Sequence, residues 1–218
     1  MYLVDIGNRY AHLSMGNRVV NLEYETLFKE YKDKRLYYIN VNPNLKEELK
    51  KNRNWIDLEE YIKLDGTYKG MGVDRKALLL SRGDGVYIDA GSAITIDLKR
   101  DNRFIGGTIL LGIWKQKSAY KEISSVLEVS NLEELNLNTL PNTNTKESIS
   151  YGIIAPIVAL IEKINKDNLP IYITGGDGRL LASYIKNSQY IDNLIFEGLK
   201  RVAKSYNKEI DFKRANKE

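Results

Sequence analysis

Two short segments of this 218-residue chain repeat one pattern, Leu3-Val4-Asp5-Ile6-Gly7-Asn8 and Tyr87-Ile88-Asp89-Ala90-Gly91-Ser92. Each reads as an apolar, β-rich strand that ends in Asp-x-Gly and a small polar residue, with a second strand after it. A supersecondary unit that occurs twice predicts two copies of one domain type. The chain is long enough for two small domains and a sizeable core. The expected division is an N-terminal domain over 1–80 and a C-terminal domain over 81–218.

The apolar pattern predicts the elements around these strands. Tyr2–Ile6, residues 10–15 and Val19–Leu22 read as a meander turning at Gly7-Asn8 and Gly16-Asn17. Leu36–Val41 is a further strand. Asn44 is the expected N-cap of a helix through Leu45 and Leu49, with Glu47 completing a capping-box pattern. A helix over Val73–Leu80 follows Gly70-Met71-Gly72. Val86–Asp89, Ile94–Leu98 and Phe104–Leu111 predict a second meander. Helices are expected over Ile113–Leu127 and over Lys146–Lys166, the latter kinked or strained at Pro156. A strand over Ile171–Thr174 ends in Gly175-Gly176, and helices near Leu180–Lys186 and Leu194–Tyr206 close the chain. Asn136–Asn144 reads as a loop. The fold class is α/β, each domain a mixed sheet with helices.

Composition excludes several function classes. Lys and Arg number 33 against 29 Asp and Glu, a net charge of +4 spread along the chain. That balance gives no nucleic-acid footprint, and the Tyr residues show no clear interleaving with basic ones. The basic stretch Lys200–Lys217 is interrupted by Glu209 and Asp211 and followed by Glu218, so it reads as a solvated helix and tail. There is no cysteine, hence no disulfide, thiolate metal site or cysteine nucleophile. Met1 leads straight into Tyr2-Leu3-Val4-Asp5, without the basic and apolar regions of a signal peptide. The nearly apolar runs Phe104–Trp114 and Tyr151–Ile161 fall short of the ~20 residues of a membrane helix. A cytoplasmic protein with no membrane or nucleic-acid partner is expected.

The repeated turns suit phosphate chemistry. No Walker loop is present, since Ile113 follows Gly112 where a lysine is needed, and no Gly-x-Gly-x-x-Gly occurs. A glycine in a tight turn can bring successive backbone N–H groups to an anion. An aspartate at the strand end can hold Mg²⁺ or its waters, and the metal bridges to phosphate. Taken singly, such a turn reads first as an ordinary hairpin with an Asx-type residue. Two of them, with Gly175-Gly176 at a later strand end, favour a nucleotide site. Gly72-Val73-Asp74-Arg75 is a second constellation. Asp74 at a helix start is either a structural cap or a base that accepts a hydroxyl proton. Arg75 can bind a carboxylate bidentately.

Five pieces in order resemble the type III pantothenate kinases: Asp5-Ile-Gly-Asn8, Gly72-Val-Asp-Arg75, Asp89-Ala-Gly-Ser-Ala-Ile-Thr-Ile-Asp97, Phe104-Ile-Gly-Gly-Thr-Ile109 and Thr174-Gly-Gly-Asp177. Asn144-Thr-Lys-Glu-Ser-Ile149 with Gly152 also fits. The resemblance spans nearly the whole chain. It implies two RNase H-like domains of the actin-like ATPase superfamily and ATP-dependent phosphorylation of pantothenate, the first step of coenzyme A biosynthesis. It implies ATP phosphates held over Asp5–His12, at Asp5, Gly7, Asn8 and Arg9, with Mg²⁺ held by Asp5 through water. Ser92 would sit at the phosphates, and Gly175 and Gly176 against the adenosine. Pantothenate would be bound by Tyr68, Gly72, Val73, Asp74, Arg75 and Thr145, with Asp74 as general base. Asp89 would hold a monovalent cation, K⁺ or NH₄⁺. A homodimer is implied, and the Phe104–Trp114 segment reads either as its interface or as a core strand.

The chain departs from the family pattern at several positions. Arg9 follows Asn8 where Thr is common, and either supplies phosphate charge or points to solvent. His12, the single histidine, replaces a Lys or another polar residue. Ser92 replaces Thr, and Leu111 replaces Pro. The segment before Gly72 is short, which bears on Tyr68. Two other functions compete with this reading: a kinase of the same superfamily with another acceptor, and a non-catalytic nucleotide-binding regulator. The first lacks a reason for Gly72–Arg75, and the second lacks one for keeping Asp5, Asp74 and Asp89.

Overall fold

The computed structural model describes residues 1–16 and 18–215. Asn17 of the expected second turn and the last three residues of the basic tail lie outside them. The chain divides into two compact units. The first comprises Met1–Gly83, Asn102–Phe104 and the segment from Asn193 onward. The second comprises Asp84–Asp101 and Ile105–Asp192.

In chain order the elements are β1 (Tyr2–Ile6), β2 (Ala11–Met15), β3 (Arg18–Leu22), α1 (Tyr24–Glu30), β4 (Leu36–Asn40), α2 (Lys46–Lys51), β5 (Trp55–Asp57) and α3 (Val73–Leu79). There follow β6 (Gly85–Ala90), β7 (Ala93–Arg100), β8 (Arg103–Leu111), α4 (Ile113–Ile123), α5 (Thr145–Ile164), β9 (Ile171–Thr174), α6 (Gly178–Tyr184), β10 (Ser188–Tyr190) and α7 (Ile195–Ala215).

Both sheets have five strands, in the orders β3-β2-β1-β4-β5 and β8-β7-β6-β9-β10. Each central strand, β1 or β6, pairs antiparallel with the strand after it. Each pairs parallel on its other side, with β4 or β9. The outer pairs β4–β5 and β9–β10 are parallel too. The six-residue repeat thus marks two sheets that correspond strand for strand. Asp5 and Asp89 hold the same place in them, one residue before the end of the central strand.

In the first unit, alternation along β1 sends Val4 and Ile6 to one face and Leu3 and Asp5 to the other. Val4 and Ile6 pack with Leu27 of α1 and Leu49 of α2. Leu3, Tyr37 and Ile39 pack with Val73 and Ala77 of α3 and with Phe196, Leu199, Val202 and Ala203 of α7. This packing is why the division differs from a single cut at residue 80: α7 lies 115 or more residues beyond Leu80 yet completes the first unit's core. In the second unit, Val86, Ile88, Ile94, Ile96, Ile171 and Ile173 pack beneath α5 and α6.

Local differences from the expected elements have identifiable causes. The helix start after β4 is capped by Asn42, not Asn44. Asn42 Oδ1 accepts the Asn44 amide at 3.0 Å, and Pro43 opens a 3₁₀ turn that leads into α2. α4 stops at Ile123 because Ser124 is extended and caps a separate turn over Ser125–Leu127. α5 runs through Pro156 without a break, anchored by buried Ile149, Ile153, Ile154, Ile157 and Ile161. The short elements α1, β5 and β10 were not legible from the apolar pattern.

Candidate active site

In the first unit the turn after β1 is closed by a hydrogen bond from the Gly7 amide to the Tyr10 carbonyl, 3.0 Å. It is fastened from below: Tyr24 Oη donates to the Gly7 carbonyl at 2.7 Å, and Asn42 Nδ2 donates to Tyr24 Oη at 3.2 Å. Asn8, Arg9 and Tyr10 are exposed at its tip. Asp5 Oδ1 is buried, and Asp5 sits in register between His12 on β2 and Ile39 on β4. His12 Nδ1 lies 2.7 Å from Asn21 Oδ1 on β3.

α3 begins on the same sheet face that carries Leu3 and Asp5. Gly72 is its N-cap residue, and a Cβ there would overlap the Asp74 carboxylate, so glycine lets that side chain fold back over the helix start. Asp74 Oδ1 accepts the Arg75 amide at 2.8 Å. Arg75 is buried, and its Nη1 donates to Tyr68 Oη at 2.8 Å. Tyr68 is half exposed and its ring lies 6.2 Å from that of Phe104. The structure therefore gathers Tyr68, Gly72, Asp74 and Arg75. Val73 belongs to the set only through its backbone, because its side chain is in the core.

In the second unit Asp89 is in register with Thr95 on β7 and Thr174 on β9. The turn after it is closed by the Gly91 amide donating to the Ala93 carbonyl at 3.0 Å. The Gly112 amide, at the start of α4, donates to the Ser92 carbonyl at 3.2 Å. A Cβ on Gly112 would overlap the Gly91 and Ser92 carbonyls. Ser92 itself is exposed. Gly175 has φ +91°, and a Cβ on it would lie 2.6 Å from the Ala90 carbonyl and from Asp89 Oδ1. The Asp177 amide then donates to the Ala90 carbonyl at 2.9 Å. Asp89, Ser92, Gly175 and Gly176 are thus held at neighbouring strand ends. Burial raises the Asp177 carboxyl above its ordinary range, and Lys117 opposes the shift. Thr145 is exposed on the first turn of α5, beside the N-cap Asn144, whose Oδ1 accepts the Glu147 amide at 2.8 Å.

Sequence reasoning assigned no role to Thr95, Thr174, Tyr24 or Asn42. Thr95 stood within the quoted Asp89–Asp97 motif, but only the hairpin register pairs it with Asp89. Among the described residues no three His, Cys, Asp or Glu side chains gather as a metal cluster. No helix among them is long and apolar enough to cross a membrane.

Two α/β sheets that correspond strand for strand, each with an aspartate one residue before the end of its central strand, define a duplicated α/β fold. A solved Sinorhizobium meliloti protein described as a 2-dehydro-3-deoxygalactonokinase shares that fold. Its TM-score is 0.52 at 13% identity, over 94% of this chain and 96% of that one. The sequence model of the type III pantothenate kinases matches residues 25–167. Type III pantothenate kinases of Campylobacter hominis and Helicobacter hepaticus are 44% and 35% identical to the chain. The matches cover 94% and 93% of this chain and 98% of each relative. A solved Campylobacter jejuni protein, described as a Baf family transcriptional activator, superposes with TM-score 0.86 at 38% identity, over 95% of this chain and all of that one. The chain belongs to the type III pantothenate kinase family.

Proposed function

We propose that Asp74 is the base of this kinase, which phosphorylates pantothenate with ATP to give 4'-phosphopantothenate and ADP, the first step of coenzyme A biosynthesis. The observation that carries the assignment is the cluster at the start of α3. There Asp74 is turned back over the helix by Gly72, next to a buried Arg75 braced by Tyr68.

Arg75 offers a fixed planar cation for the pantothenate carboxylate, with Tyr68 holding its orientation. The Arg75 amide occupies one face of Asp74 Oδ1, and a carboxylate keeps further acceptor sites for the substrate hydroxyl. Asp74 takes the hydroxyl proton as that oxygen forms its bond to the γ-phosphorus and the bond to the ADP oxygen breaks. The Gly7 turn offers backbone N–H groups to the phosphates, and Asp5 would hold Mg²⁺ through its waters. A single carboxylate at the turn fits a hydrated ion better than an all-protein cage. When bound with ATP, Mg²⁺ would supply positive charge against that developing on the phosphates. Thr145 would contact pantothenate. Ser92 would meet the phosphates, and Gly175 and Gly176 leave room for the adenosine. Asp89 would hold K⁺ or NH₄⁺.

A homodimer is part of the proposal. The edge strand β8 and the start of α4 expose Ile105, Ile109, Leu111 and Trp114, an apolar row without cover in the single chain.

The test is turnover of pantothenate by the purified protein with ATP and Mg²⁺, with and without K⁺. Asp74→Asn should lower kcat by about a hundredfold or more while circular dichroism and melting stay unchanged. Full activity in that variant removes Asp74 as the base. A folded, ATP-binding wild type that turns over no pantothenate would favour the regulator reading, which the description of the Campylobacter jejuni relative keeps open.

A further inference from the structure

Thr95, Asp89 and Thr174 are adjacent across three strands of the second sheet. Their neighbours along those strands, Ile94, Ile96, Ile88, Ala90 and Ile173, all point into the apolar core. Strand alternation therefore sends Thr95, Asp89 and Thr174 together to the opposite face. Directly paired residues hold their Cβ atoms about 4.5–5.5 Å apart in such a ladder. Three oxygen-bearing side chains thus stand in one row, with the carboxylate in the middle.

The hydroxyl of Thr95 is the informative member. Its Oγ1 is shielded from solvent and has no hydrogen-bond partner among the described residues. Buried polar groups in folded proteins are satisfied almost without exception, so this one calls for a ligand, be it a water or an ion. The adjacent carboxylate decides the sign of that ligand, because it repels phosphate oxygens and attracts a cation. One carboxylate with two hydroxyls offers hard oxygen donors and a single negative charge. That suits a monovalent ion, whereas a divalent one is usually held by more carboxylates or by phosphates.

The repeat supplies an internal contrast. The equivalent row in the first unit runs Asn21, His12, Asp5, Ile39. There the residue opposite the aspartate is an imidazole already engaged with Asn21, and the β4 position is a fully buried isoleucine. No hydroxyl flanks Asp5 directly in that row. Of the two equivalent aspartates, Asp89 is the one flanked by hydroxyls on both sides.

We infer that Thr95 is a ligand of the monovalent cation assigned to Asp89, with Oγ1 as the donor atom and Thr174 flanking the ion from β9. This rests on the reading of Asp89 as the cation-binding carboxylate. A consequence distinguishes it from a packing role: valine in place of Thr95 removes an unsatisfied hydroxyl, so the cation-free protein should lose no stability.

The experiment is thermal unfolding of the nucleotide-free protein, titrated with KCl against choline chloride at equal ionic strength. Wild type, Thr95→Val, Thr95→Ser and Asp89→Asn are compared. K⁺ should raise the melting temperature of wild type and Thr95→Ser. In Thr95→Val the K⁺ concentration needed should rise about tenfold or more, with the melting temperature in choline unchanged or higher. Asp89→Asn should not respond. If Thr95→Val responds like wild type while Asp89→Asn is flat, the role of Thr95 is overturned and that of Asp89 stands. If wild type does not respond to K⁺ or NH₄⁺, or Asp89→Asn responds like wild type, both fall. Should Thr95→Val fail to fold, Thr95→Ala decides by the same criterion.

Discussion

Gly175 takes a backbone conformation that side chains rarely adopt, and it does so against Ala90 and Asp89. That close approach brings the end of β9 onto the end of β6 and leaves Asp177 partly buried behind it. Burial favours the neutral carboxyl and raises its pKa, while Lys117 pulls the other way. The sign of the consequence follows from linkage. A carboxyl raised in the folded state contributes stability below its ordinary pKa and loses that contribution as pH rises through the folded value. Asp177→Asn should therefore raise the melting temperature near pH 7, and the gain should disappear below about pH 4. Melts of both proteins across that range check it. A gain that persists in acid would assign the effect to something other than the carboxylate charge.

At the scale of elements, α7 shows how a distant segment completes a sheet. Leu199 is fully buried against the Leu3–Tyr37–Ile39 face, and Gly198 lets the helix meet α3, where a Cβ would overlap the Ala77 carbonyl. Tyr37 Oη donates to Asn207 Oδ1 at 2.7 Å, and Arg82 pairs with Glu197 at 2.9 Å. The surface ion pair adds little, so the apolar face carries most of the attachment. Leu199→Ala should cost about 2–5 kcal/mol in urea unfolding. A loss well under 1 kcal/mol would mean that α7 is docked by its polar contacts instead.

At the scale of the molecule, two sheets of one topology have taken different surfaces. The first sheet is covered on both faces by helices, α1 and α2 on one and α3 and α7 on the other. The second ends in β8, whose alternate residues Ile105, Ile109 and Leu111 are exposed. An apolar edge of this kind is a surface that a second chain can cover. If the proposed homodimer forms through this row, Ile109→Lys should shift the protein from dimer to monomer in light scattering, with the melting temperature of the monomer unchanged. A dimer that persists would place the interface elsewhere.

Much of this was legible in the residues. The Asp-x-Gly repeat announced two equivalent strand–turn–strand units, because a turn of that geometry restricts which residues can occupy it. Periodicity located most of the strands and long helices, and the order of the motifs pointed to the family. Of the short elements, α1, β5 and β10 escaped, since three to seven residues carry little periodicity, whereas α2 and α3 were marked by a capping-box pattern and by Gly70-Met71-Gly72. The cap at Asn42 was misplaced by two residues because Asn42 and Asn44 offer the same side-chain acceptor. Only the tertiary structure decided which residues face each other. The turn after β1 spans four residues and the turn after β6 spans three, so the partner of each aspartate, His12 or Thr95, follows from hairpin register. Likewise the residues of α7 read as a closing helix near Leu194–Tyr206 and a solvated helix and tail from Lys200, yet Val202 and Ala203 are buried. The burial of its apolar face against Leu3 and Ile39, a contact between the two ends of the chain, assigns it to the first unit.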